Sequence, residues 1–141
     1  MHRPRLLSAA ACLVLAGIGL AGCAELPFMH PQRAYIVFFA PFKTNLNPPG
    51  IAVVAQAAHE AKIDLLSPVT VTGAADTVGS TPANIALSNE RAAAVAAQLV
   101  ADGIAPARIT TRGIGPVGSP PDSKQAARTA TITIGTSQTP S

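Results

Sequence analysis

The sequence predicts an α/β fold, a two-layer sandwich with two helices on one face of a mixed sheet in the order strand, helix, strand, helix, strand, strand. Three observations predict it. Three short runs rich in β-branched or apolar residues, near positions 35, 69 and 129, have strand length. Between them lie longer stretches whose apolar residues recur at helical spacing. Gly, Pro, Ser and Asn mark the joints. The connections between parallel strands are right-handed, which puts both helices on the same side.

The chain has 141 residues and opens with a leader. Met1-His2-Arg3-Pro4-Arg5 is a basic start, and residues 6–20 are apolar apart from Ser8. Such a run is short for a transmembrane helix and ends in small residues, as a secretory signal does. It stops at Leu20-Ala21-Gly22-Cys23, which is similar to a bacterial lipobox. That similarity implies removal of residues 1–22, acylation of Cys23 and a membrane anchor. The alternative is an ordinary signal peptide that happens to contain Cys23. Cys12 leaves with the leader, so the mature chain has one cysteine and no disulfide framework. Ala24 follows Cys23, and by analogy with lipoprotein sorting this favours the outer membrane.

Removing the leader takes Arg3 and Arg5 with it, leaving 8 Lys and Arg against 7 Asp and Glu, so the mature net charge is about +1. Without a basic stripe or interleaved aromatics, nucleic-acid binding has no support. Residues 23–33 read as the lipidated cysteine and a short tether containing Pro27 and Pro31. Some 8 to 10 extended residues reach only ~30 Å, so the domain stays close to its membrane. Phe28 and Met29 either pack on the domain, stay exposed or dip into the lipid interface.

The domain proper is expected over residues 34–135. Tyr35-Ile36-Val37-Phe38-Phe39 is the opening strand. Asn47 caps the first helix with Pro48 just inside it, and Ile51, Val54, Ala58 and Ala61 form its buried stripe. Val69-Thr70-Val71-Thr72 is the next strand, broken by Gly73, which places Asp76 at its C-terminal edge. Thr81 reads as the cap of the second helix, with Pro82 at its first position. Ile85, Ser88, Ala92, Val95 and Leu99 are its stripe, and Gly103 closes it. A third strand runs up to Gly115, residues 116–122 form a loop, and residues 129–134 make the last strand. Residues 136–141 are a polar, frayed tail.

Within this frame the spaced residues D-x-x-G, N-x-x-L-S-x-x-R-A and G-I-x-x-x-R-I-x-x-x-G-x-G stand in register. They are Asp76, Gly79, Asn84, Leu87, Ser88, Arg91, Ala92, Gly103, Ile104, Arg108, Ile109, Gly113 and Gly115. The pattern resembles the OmpA-like, or OmpA/MotB C-terminal, peptidoglycan-associated family, and the OmpA-C-like fold it implies is the βαβαββ sandwich described above. Asp76 and Arg91 stand 15 residues apart, the spacing of that family's two principal ligand groups. The resemblance implies that Asp76 accepts from the ammonium, and Arg91 forks onto the carboxylate, of a diaminopimelate end in a peptidoglycan stem peptide. It adds Asn84, Thr77 of the following turn, and Arg128 as further binding residues. The competing reading is an Asp76–Arg91 ion pair that braces the turn on the helix.

The sequence also departs from the family pattern. Ala74 and Ala75 replace two hydrogen-bonding residues before the aspartate, and Ala40 replaces the acidic residue after the first strand. Ala127-Arg128-Thr129 keeps only Arg128 of the terminal signature. Peptidoglycan and, through acylated Cys23, membrane lipid are therefore the expected partners. An envelope protein bound by a degenerate domain is the alternative. No catalytic set, metal site or cofactor is expected. The three histidines fall in the leader, the tether and, at His59, on a solvated helix face without a second ligand. Gly113, Gly115 and Gly118 have no helix behind them and cannot be a dinucleotide fingerprint.

Overall fold

The structure is a computed structural model that describes residues 32–118 and 124–135. The leader, Cys23, most of the tether, residues 119–123, which include the end of the expected loop, and the tail 136–141 lie outside the described residues. The elements follow the expected order: β1 (Arg33–Phe38), α1 (Pro48–Ile63), β2 (Val69–Ala75), α2 (Thr81–Ala101), β3 (Ile109–Pro116) and β4 (Thr129–Ile134). Short 3-10 turns, Pro106–Arg108 and Lys124–Ala127, precede β3 and β4.

The sheet order is β1-β4-β2-β3. β4 is antiparallel to both β1 and β2, while β2 and β3 are parallel. Progress from β1 to β2 to β3 is always in one direction across the sheet, so two right-handed crossovers bring α1 and α2 to the same face. That face holds the core: Val37 and Phe39, Val69 and Val71, Ala130, Ile132 and Ile134 from the sheet side meet Val54, Ala57, Ala58 and Ala61 of α1 and Ala92, Val95 and Leu99 of α2. The β-branched and apolar residues of the strands alternate inward, as a half-buried sheet requires.

Asn47 caps α1, its Oδ1 accepting from Gly50 N at 2.9 Å. The buried stripe is Gly50, Val54, Ala57, Ala58 and Ala61, so Val54, Ala58 and Ala61 are buried as expected and Ile51 is not. Ile51 is 41% exposed because Gly50 is the residue pressed against β1, where an added Cβ would lie 3.2 Å from Val37 Cγ1. On α2 the cap is Ser80 rather than Thr81, its Oγ accepting from Ala83 N at 3.3 Å, and Pro82 is the second helical residue. Ile85 is exposed, and Asn84, Ser88 and Arg91 occupy the inward face beside Ala92, Val95 and Leu99.

That polar inward face exists because α2 lies directly on strand backbone. Gly73 is inside β2 and does not break it: an added Cβ would fall 1.9 Å from the Ser88 carbonyl oxygen. Ser88 Oγ accepts from Gly115 N at 2.9 Å and Asn89 Oδ1 accepts from Gly113 N at 2.8 Å, stitching the helix to β3. At the other end Gly103, with φ of +96°, closes α2 as expected. Its N–H reaches Val100 O and that of Ile104 reaches Leu99 O, the paired bonds of a Schellman motif. Arg108 donates to Ala61 O, Asp64 O and Ser67 O at 2.8–2.9 Å, tying down the carbonyls at the exit of α1.

Candidate functional site

The loop after β1, the end of β2, the start of α2 and the start of β4 meet at one end of the sheet. All five expected binding residues stand there, Asp76, Thr77, Asn84 and Arg128 at the rim or its turn and Arg91 beneath them.

Asp76 leaves β2 as expected. Its Oδ1 accepts from Val78 N at 3.0 Å, folding the chain into an Asx turn. Asn84, nearly buried in the first turn of α2, donates from Nδ2 to Val78 O at 3.1 Å and fixes the same turn from the helix side. Thr77 lies between them and is exposed. The charge partner of Asp76 is Arg128, whose Nη1 stands 3.4 Å from Oδ2, and the two side chains are 13% and 16% exposed. This is long for a charge-assisted hydrogen bond, which runs about 2.7–2.9 Å. Arg128 Nε is buried and donates to nothing among the described residues.

Arg91 is placed differently from the open pair that the spacing suggests. It is 0% exposed, with no ion pair to Asp76. Nε donates to Lys43 O at 3.0 Å, Nη1 to Ala74 O at 2.9 Å and Nη2 to Ala40 O at 3.3 Å, and the guanidinium lies 5.3 Å from the Phe39 ring centroid, within cation–π range. Three of its five N–H donors are thus spent on backbone. Burial lowers its pKa; the nearby Asp76 carboxylate opposes that shift and Arg128 adds to it.

The two outer acceptors come from a turn over residues 40–43, closed by Lys43 N on Ala40 O at 3.1 Å. Pro41 presets its first corner, and Phe42 takes the left-handed second corner at φ of 56°, the geometry of a type II turn with Phe where Gly is usual. Such a conformation costs a non-glycine residue on the order of 1–3 kcal/mol and is held by its surroundings. Here the surroundings are the guanidinium beneath it. Sequence reasoning missed this turn, although Ala40-Pro41-Phe42-Lys43 carries a Pro at the right corner. Beside it, Phe42, Val78, Asn84, Leu87 and Glu90 line a shallow groove of about 370 Å³.

The charged groups therefore form two tiers. Asp76 and Arg128 stand at the rim, loosely paired and partly open, while Arg91 sits beneath them as a fixed buried cation. The rim presents an anion and a cation side by side, which suits a ligand carrying both charges. Among the described residues no group of three or more His, Cys, Asp or Glu is arranged to hold a metal, and His59 is exposed on α1.

Comparison with known proteins bears on the family and the fold. The family model described as the OmpA family matches residues 38–132. The chain is 34% identical over 131 residues to outer membrane protein A of Bordetella avium, an alignment covering 82% of this chain and 68% of that one. Among solved structures, the OmpA-like domain of FopA1 from Francisella tularensis superposes with a TM-score of 0.67 at 27% identity, covering 72% of this chain and 71% of that one. The peptidoglycan-associated lipoprotein from Burkholderia pseudomallei gives 0.66 at 23% identity, covering 71% and 89%, a likeness of fold. The matched span runs from the end of β1 into β4 and takes in both helices and every site residue: this chain is a non-enzymatic member of the OmpA family.

Proposed function

We propose that the chain is a lipid-anchored envelope protein that binds peptidoglycan non-covalently through the Asp76–Arg128 rim and so links the outer membrane to the cell wall. The observation that carries this reading is the rim pair itself. It is a salt bridge at the long end of the range, 3.4 Å between Arg128 Nη1 and Asp76 Oδ2, largely sheltered from water, and it includes a buried Arg128 Nε that lacks an acceptor among the described residues. An ammonium would displace Arg128 from Asp76 Oδ2, and the adjoining carboxylate would take the freed guanidinium, so each charge exchanges one partner for another. A ligand carrying both charges on one carbon, such as the diaminopimelate end of a stem peptide, fits that exchange. In this reading Thr77 and the groove beside Phe42 flank the ligand, Asn84 holds the turn, and Arg91 supplies positive potential from below.

Replacement of Asp76 by Ala is expected to weaken binding to insoluble peptidoglycan sacculi by about 2 kcal/mol, roughly thirtyfold, because it leaves Arg128 and the ligand ammonium without their shared acceptor. Arg128→Ala should lose a comparable amount. The measurement is co-sedimentation of residues 24–141 with sacculi. Undiminished pull-down by both folded variants would remove the rim from the site. Failure of the parent domain itself to sediment would favour the second reading, a protein partner in the envelope. The sealed Arg91 and the apolar lining of the neighbouring groove are the observations that support that alternative.

The anchor has its own test. Cys23→Ser is expected to move the protein from the membrane fraction into the soluble periplasmic fraction, since without acyl chains each lost methylene removes about 0.8 kcal/mol of membrane affinity. Retention of that variant in the membrane would count against acylation at Cys23.

A further inference from the structure

At the end of the sheet opposite the candidate site, the connection from α1 to β2 exposes three large apolar side chains within four residues: Ile63 at 69%, Leu65 at 69% and Leu66 at 96%. Single exposed apolar residues are ordinary, but a cluster at one tip is not. The tip is a built one. Ser67 N and Oγ bond the Asp64 carboxylate, and Arg108 grips Asp64 O and Ser67 O from below. Its leucines therefore stand outward on a pinned loop while Val69, two residues beyond Ser67, is fully buried.

The position of this tip is fixed by the sheet. Arg33, the first residue of β1, is opposite Ile134, and Ile134 is opposite Val69. Two strand spacings, roughly 10 Å, therefore separate the point where the N-terminal segment enters the domain from the strand that follows the tip. The ion pair between Arg33 and Glu60 ties the last turn of α1 to that same entry point. Asp76 lies seven residues further along β2, roughly 23 Å away at the far end.

We propose that the Ile63–Leu66 tip docks into the interfacial region of the lipid bilayer, making the domain bipolar, with one end on the membrane and the Asp76–Arg128 rim facing away from it. The proposal rests on the anchor reading for the constant proximity of lipid: ten residues join Cys23 to Arg33 and span at most about 36 Å. A bilayer is within reach of this end at all times, whatever proteins are present. The charges are compatible with docking. Lys62 and Arg33 flank the tip, Glu60 is paired with Arg33, and the Asp64 carboxylate is turned inward onto Ser67. These four charges cancel, so the apolar side chains carry the docking, and apolar faces of this kind settle about 5–10 Å into the headgroup boundary.

The chain contains no tryptophan, so Leu66→Trp installs a single tryptophan at the tip, excited selectively over Tyr35, and Phe42→Trp installs one at the far end. Full-chain protein, expressed with its own leader and extracted from membranes, is reconstituted into vesicles of phosphatidylethanolamine and phosphatidylglycerol with or without brominated acyl chains. Tip emission should shift to the blue and be quenched by brominated lipid several-fold more strongly than emission from position 42. Equal, weak quenching at both positions in vesicle-bound protein would overturn the docking and leave the anchor intact. Adding Cys23→Ser separates the two: vesicle binding and tip quenching that persist in this form would remove the anchor and keep the docking. A parent chain that stays off the vesicles would overturn both.

Discussion

Replacement of Arg91 by alanine is expected to destabilise the domain by about 3–5 kcal/mol, the summed cost of a large buried side chain deleted to alanine and of backbone carbonyls left without donors. For a domain of ~100 residues this lowers the melting temperature by roughly 15–30 °C. The loss has three physical parts. Ala40 O, Lys43 O and Ala74 O lose their guanidinium donors, a large side-chain volume is left empty between α2 and the sheet, and the Phe42 turn loses the cation that holds its left-handed corner. Arg91→Lys should recover only a part, because an ammonium cannot reach three divergent carbonyls as the planar fork does. Thermal melts followed by far-UV circular dichroism decide the matter. A shift below about 5 °C, equivalent to roughly 1 kcal/mol, would mean that the guanidinium is not the brace described here. The consequence for function is direct: weakened peptidoglycan binding by an Arg91 variant reports on the fold first, and the rim variants at Asp76 and Arg128 are the cleaner test of the site.

Gly73→Ala is expected to be the second severe change, at about 3 kcal/mol or more, beyond the usual cost of overpacking. The new methyl would stand 1.9 Å from the Ser88 carbonyl oxygen and 3.1 Å from Ala92 N, both backbone atoms of α2 that cannot swing away as a side chain would. The helix must lift from the sheet, and the bonds from Gly113 N and Gly115 N to Asn89 and Ser88 go with it. The expected readout is a fall in the denaturant midpoint with an unchanged slope, together with faster exchange of the Gly113 and Gly115 amides. A midpoint within error of the parent would show that α2 can rise from β2 at little cost. Gly103→Ala, by contrast, tests a left-handed cap, where the strain is local and smaller.

The layer structure, the element order and most of the core are legible in the sequence because they depend on short-range periodicity. Val69 and Val71 alternate with threonines, Val54, Ala58 and Ala61 recur at helical spacing, and Asn47, Pro48 and Gly103 mark helix ends by local chemistry. The one-residue differences have local causes too. Ser80 reaches Ala83 N where Thr81 was expected to cap, and Gly50 took the sheet-facing place expected of Ile51. The family resemblance supplied the site positions; Asp76 and Thr77 lie in one turn, and Asn84 holds that turn from the start of α2.

By itself, then, the sequence determined a βαβαββ domain of the OmpA family, with an acidic residue at a strand end and a basic one nearly three turns into the following helix. Tertiary structure alone decided which cation faces outward. Helical period puts Arg91 on the same face as Ser88, Val95 and Leu99, but whether that face meets solvent or a sheet depends on where a turn 48 residues earlier in the chain delivers its carbonyls. Arg128, 52 residues from Asp76, reaches the rim only because β4 inserts between β1 and β2. Spacing along the chain fixes the face of a helix, whereas contacts between distant segments fix what covers that face, and a guanidinium is buried or exposed according to the second of these.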